Sequence, residues 1–178
     1  MLGSVPRVEA RVGQVLRFEP YADHLQFVLS DAVADTGQLD GDTWVKAPEE
    51  WRIGVERHAI TVATARYDYV PVIFELLDRA PADVIPDDAG HAVEADVEVP
   101  SGKLTIEGPT TPPQEADPLQ LAPGRYRLRI SYAPADYRPA RSTESEPGDY
   151  LEYRIMMWPV QVPSDVQVLK QGDSPWAY

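Results

Sequence analysis

The chain has 178 residues, 43% of them hydrophobic and 25% charged, a balance suited to one globular domain spanning residues 1–178. It contains no cysteine, which excludes disulfides, a thiol nucleophile and a zinc–thiolate site, and no run approaches the roughly 18 apolar residues that a membrane helix needs. Its formal net charge of −13 opposes binding to nucleic acid or anionic lipid and favours encounter with a basic protein.

Met1 to Arg11 shows no apolar core of a signal peptide, so a cytoplasmic location is the expectation. Alternation at period two then dominates the chain, the mark of half-buried strands. In the N-terminal half it is loose: Val8, Ala10 and Val12; Leu25, Phe27 and Leu29; Trp51, Ile53 and Val55; then His58 to Ala65. Val70 to Leu77 reads as a strand with a helix as the alternative, and Pro71 assigns its start to a sheet edge or a bulge.

From His91 the pattern sharpens. Val93, Ala95, Val97 and Val99 alternate with Glu94, Asp96 and Glu98; Pro100-Ser101-Gly102 makes a turn; Leu104 and Ile106 resume the apolar row. A hairpin is the expectation here. In Gly124 to Ala133, Tyr126, Leu128, Ile130 and Tyr132 face one way and Arg125, Arg127, Arg129 and Ser131 the other. Tyr150 to Trp158 carries Leu151, Tyr153, Ile155 and Met157 on one face, and apolar residues on its other face imply cover on both sides. Val166 to Lys170 adds a last short strand. About ten short strands joined by long, proline-rich loops predict an all-β, single-domain antiparallel β-sandwich. In such a fold Leu128→Asp should be severe and Arg127→Ala mild.

Nothing in the sequence specifies catalysis. Asp35-Thr36-Gly37 matches the tripeptide of aspartic proteases, but that chemistry needs two such carboxylates and there is one copy, so a turn is expected. Asp83, Asp87, Asp88, His91 and Glu94 are the densest set of potential metal ligands. Three residues apart in a strand, His91 and Glu94 point to opposite faces, and Pro86-Asp87-Asp88-Ala89-Gly90 is accounted for as a turn. No nucleophile elbow or glycine-rich phosphate loop is present. No enzyme, cofactor or metal is expected.

The acidic row Glu94, Asp96, Glu98 and the basic row Arg125, Arg127, Arg129 should pair across the sheet if their strands are neighbours; otherwise each is a single-sign strip open to a partner. Nine tyrosines and four tryptophans are a generous stock of interface anchors, with Tyr67 and Tyr69 in a turn, Tyr137 in a loop, and Trp176 and Tyr178 at the end of the sequence.

The His91–Leu104 run, Pro123-Gly124-Arg125-Tyr126-Arg127-Leu128-Arg129, Tyr153 to Pro159 and Val168-Leu169-Lys170, in that order, resemble bacterial proteins of the competence protein J type, the DNA-entry nuclease inhibitors. The resemblance covers about residues 58–170 and rests on strand and turn patterns, and it implies a small protein that blocks a nuclease by direct binding. The resulting expectation is a non-catalytic inhibitor or immunity-type protein that mimics nucleic-acid charge toward a basic nuclease or toxin. Its candidate contacts are Asp83, Asp87, Asp88, Tyr137, Glu144, Glu146 and Asp149. The alternative is a carbohydrate-binding or structural β-sandwich module.

Overall fold

The computed structural model describes residues 8–34, 49–111, 115–142 and 151–173. They form two packed sheets. The six-stranded sheet has the order β1 (Val15–Phe18), β5 (Val72–Leu76), β10 (Leu151–Pro159), β9 (Gly124–Pro134), β6 (His91–Val99), β11 (Gln167–Lys170). The five-stranded sheet runs β3 (Ile53–Glu56), β4 (Ala59–Ala63), β2 (Gln26–Asp31), β7 (Lys103–Glu107), β8 (Leu119–Gln120). All pairings are antiparallel except β5 with β10. Among the described residues helical structure is limited to single 3-10 turns at Asp23–Leu25 and Glu49–Trp51, and no helix is long and apolar enough to cross a membrane.

The alternating rows meet between the sheets as the periodicity requires. Val93, Leu128, Ile130, Ile155 and Phe74 from one sheet, and Phe27, Leu29, Ile60 and Leu104 from the other, are completely or almost completely buried in one cluster. Burying a side chain of this size contributes about 1.5–3 kcal/mol, so these two faces supply the main driving force for the sandwich.

Five sequence expectations need correction. The segments 91–99 and 103–107 are not a hairpin: β6 pairs with β9 and β11, and β7 pairs with β2 and β8 in the opposite sheet. The 100–102 turn is an arch over the core. A hairpin and an arch produce the same alternation, because the apolar residues face one core in either case. The arch is held by Asp31 at the end of β2, whose carboxylate accepts the Ser101 N–H at 2.8 Å and those of Val33 and Ala34 at 2.8 and 2.7 Å. Gly102 is needed there, with φ of 69° and no space for a Cβ beside the Leu121 carbonyl.

Nor is β5 an edge. It lies inside the sheet between β1 and β10, because Pro71 falls just ahead of its first residue and offers only a carbonyl, which the Tyr153 N–H uses at 2.9 Å. The third correction concerns the N-terminal segment, where Glu9 and Val12 make isolated bridges and the regular strand is Val15–Phe18 instead. Trp51 lies in a 3-10 turn rather than in β3, and β8 arises inside the proline-rich stretch read as loop.

Candidate functional site

The charged rows are neighbours. In the β6–β9 register Glu94 lies opposite Arg129, Asp96 opposite Arg127 and Glu98 opposite Arg125. Arg127 donates to Glu94 at 2.9 Å and to Asp96 at 2.7 Å, Arg129 to Glu94 at 2.8 Å and Arg125 to Glu98 at 2.5 Å. On β10, Arg154 bonds Glu152 at 2.6 Å.

This face is covered, as the apolar residues on both sides of β10 implied, by segments that the sequence did not identify. The β5–β6 connection, 77–90, joins two strands of the same direction and crosses the outside of the sheet. Its Ala82 carbonyl accepts from Arg129 at 3.0 Å, and Asp88 takes a two-pronged pair from Arg154 at 3.0 and 2.8 Å. The β10–β11 connection lies over the other end of the rows, where the Asp165 carbonyl accepts from Arg127 at 3.0 Å and Asp96 accepts the Ser164 N–H at 2.7 Å. Glu94, Arg127 and Arg129 are buried as a result. Burial alone would lower the Arg127 pKa, but the hydrogen bonds to Glu94 and Asp96 outweigh it and raise it. Arg127 therefore cannot be the solvated residue whose truncation is mild.

His91 closes one end of the core. It is fully buried, with Nε2 3.3 Å from the Trp51 carbonyl oxygen and no hydrogen-bond partner for Nδ1. Its ring stands edge-on to Tyr132, 5.1 Å between centroids, and Tyr132 donates to the Arg52 carbonyl at 2.8 Å. Arg52 bonds the carbonyls of Gly172, at 2.6 Å, and Asp173. Burial, then the charge of Arg52, push His91 down to about 4. Glu94, on the opposite face of the strand, is committed to two arginines, and among the described residues no three His, Asp or Glu side chains converge as a metal site.

The described members of the proposed contact set are spread along one end of the six-stranded sheet, from Tyr137 at β1 through Asp88 at β10 and Asp83 at β9 to Asp87 at β11. Asp83 is fully exposed, 4.0 Å from Arg129, and Asp87 is exposed with its carbonyl 3.5 Å from Lys170 Nζ. Asp88 is not a free carboxylate but half of the Arg154 pair, which lowers its pKa. Tyr137 is half-buried, its ring 5.2 Å beneath Arg17 and its hydroxyl buried without a hydrogen-bond partner among the described residues. Glu144, Glu146 and Asp149 lie outside the described residues, as do Asp35-Thr36-Gly37, Tyr150, Trp176 and Tyr178.

A group beside this end escaped the sequence reading. Residues 20–22 run antiparallel to 68–70, with Ala22 N–H on the Asp68 carbonyl at 2.8 Å and Val70 N–H on that of Pro20 at 3.1 Å. This stacks Tyr21 against Tyr67, 5.7 Å apart at 90°, and against Tyr69, 5.0 Å apart at 55°. Asp23 accepts from Thr110 at 2.8 Å and from the Tyr67 hydroxyl. Tyr67 and Tyr69 were visible as turn residues, but Tyr21 and Asp23 arrive from more than forty positions away.

The fold and this site define a two-sheet sandwich with a covered charged face and an aromatic end. No family model and no curated protein matches the sequence. Solved structures share the architecture. The product of crocagin biosynthetic gene J matches with a TM-score of 0.56 at 20% identity, over 83% of this chain and 98% of that one. ComJ, the inhibitor of the DNA-degrading activity of NucA from Bacillus subtilis, matches with a TM-score of 0.55 at 16% identity, over 84% of this chain and 98% of ComJ. The chain therefore has a ComJ-like fold. The shared part exceeds what residues 58–178 can supply, so it includes strands ahead of the segment in which the resemblance was read.

Proposed function

We propose that this chain is a non-catalytic inhibitor or immunity-type protein that binds a basic protein, a nuclease or toxin, and covers its nucleic-acid channel. The observation that carries this reading is the fold shared with ComJ across 98% of the ComJ chain. Charge supports it. The covered face sets four arginines against five carboxylates, so nearly all of the net −13 is expressed elsewhere in the chain. A nuclease presents Lys and Arg to phosphate, and an acidic surface fits that same field. Within the proposed set Asp83 and Asp87 are exposed carboxylates, Tyr137 lies against Arg17 of β1, and Asp88 joins only by exchanging Arg154 for a partner's cation. Glu144, Glu146 and Asp149 complete the proposed acidic set. The cytoplasm is the proposed location.

Capture from native lysate at low salt should return a basic protein whose DNA-degrading or toxic activity the chain suppresses at equimolar ratio. Its association rate should fall about tenfold or more between ~50 and ~500 mM salt, as screening shortens the reach of the charges. A salt-independent rate, or a partner that is acidic or a glycan, overturns charge mimicry.

A further inference from the structure

Tyr21 and Tyr67, 36% and 49% exposed, are the most exposed aromatic side chains among the described residues. Their rings meet at a right angle, 5.7 Å apart, and form an open corner. A largely buried carboxylate stands beside it, with 12% of its side chain exposed. Asp23 is fixed by Thr110 Oγ1 at 2.8 Å, by the His24 N–H at 2.9 Å and by the Tyr67 hydroxyl, and these donors, Tyr67 foremost, keep it ionised.

The same cluster already holds a guanidinium. Arg141 lies 4.3 Å above the Tyr69 ring and donates to the Tyr69 hydroxyl at 2.9 Å, and the Tyr69 ring is in turn 5.0 Å from Tyr21. One side of the tyrosine group is thus occupied by the chain's own arginine, while the Tyr21–Tyr67 side is open. Its backbone is set in advance by the 20–22/68–70 pairing and by the close approach of Gly108 to the Tyr21 carbonyl, where any side chain would collide. Such a site loses little order on binding.

We propose that Tyr21, Tyr67 and Asp23 form a receptor for an arginine side chain of the basic partner, the planar cation stacking on the tyrosines while the carboxylate accepts its N–H groups. This rests on the inhibitor reading and names the anchor that reading lacks. Arginine fits better than lysine, because a flat, weakly hydrated guanidinium both stacks and pairs with a carboxylate. His24, 3.7 Å from the Asp23 carboxylate, is the side chain with which the incoming group competes.

The test uses the full chain and a blocked tetra-arginine peptide, with tetra-citrulline as the uncharged isostere. The ring resonances of Tyr21 and Tyr67 should shift saturably with tetra-arginine and stay in place with tetra-citrulline. Tyr67→Ala, which leaves the net charge at −13, should weaken tetra-arginine binding about fivefold, and Tyr67→Phe should lose less. Equal affinity in wild type and Tyr67→Ala, or peptide-induced shifts confined to other residues, overturns the receptor while leaving a basic partner in place. An acidic partner in the capture experiment overturns the inhibitor reading whatever the peptide does.

Discussion

The outer face of the six-stranded sheet and the tyrosine end use similar side chains to opposite ends. On the face, Arg127 and Arg129 share Glu94 beneath two crossing connections and donate further to the backbone carbonyls of Asp165 and Ala82. At the tyrosine end, Asp23 is anchored by its own neighbours while Tyr21 and Tyr67 stay open to solvent. The same chemistry is architecture where it is covered and, in the proposed receptor, recognition where the tyrosine rings stay exposed. Sequence position alone does not distinguish the two, because the covering segments are remote.

The comparison can be broken by mutation. Leu128→Asp should be the most damaging change, at about 5 kcal/mol or more, because it places an unpaired carboxylate in the apolar layer. Loss of the cooperative urea transition would show it. Arg127→Ala should cost about 3 kcal/mol, since it leaves Glu94 and Asp96 short of a donor in a buried layer and frees the 160–166 connection. Tyr67→Ala should stay within about 0.5 kcal/mol. If the two urea midpoints move equally, the distinction between covered and open charge fails.

The pH response sharpens the contrast between buried and open groups. Unfolded, the His91 imidazole protonates near 6.5; folded, only near 4. Its contribution is therefore complete above about pH 6.5 and falls as pH drops toward 4, because only the unfolded chain takes up the proton, for a total of up to about 3 kcal/mol. Urea melts at pH 7, 6 and 5 should show this slope, and His91→Asn should flatten it. The smallest structural effect belongs to Asp83→Asn with Asp87→Asn, which should leave stability unchanged within about 0.5 kcal/mol while slowing association with a basic partner severalfold.

The faces of β6, β9 and β10 were legible because each strand is long and one side meets the core, so periodicity alone separates Leu128 from Arg127. The pairing of the acidic and basic rows was legible as a condition and needed only the register. What was not legible depends on information outside the strand. Alternation is identical for a hairpin and an arch, so the sheet change at Gly102 left no trace in it. The cover over Arg127 and Arg129 is made by the carbonyls of Asp165 and Ala82, which have no side-chain signature. Strand β8 has two residues, too few for any period, and the tyrosine corner assembles from the 21–23, 67–69 and 110 segments. The contact set was readable only as composition, and the structure sorts it: Asp88 is pledged to Arg154, while Asp83 and Asp87 are open.

The place of β10 in the sheet also has a bearing on how the chain emerges from a ribosome. β10 separates β5 from β9, so the β1–β5 pair cannot join the rest of its sheet until residues 151–159 have been made. Until then β5 has an unpaired inner edge, the kind of edge that recruits other chains. Pairings between strands this far apart in sequence form slowly. Emergence of β10, rather than of any earlier strand, should then be the event that completes the sheet, and fragments ending before β10 should be retained by chaperones or degraded.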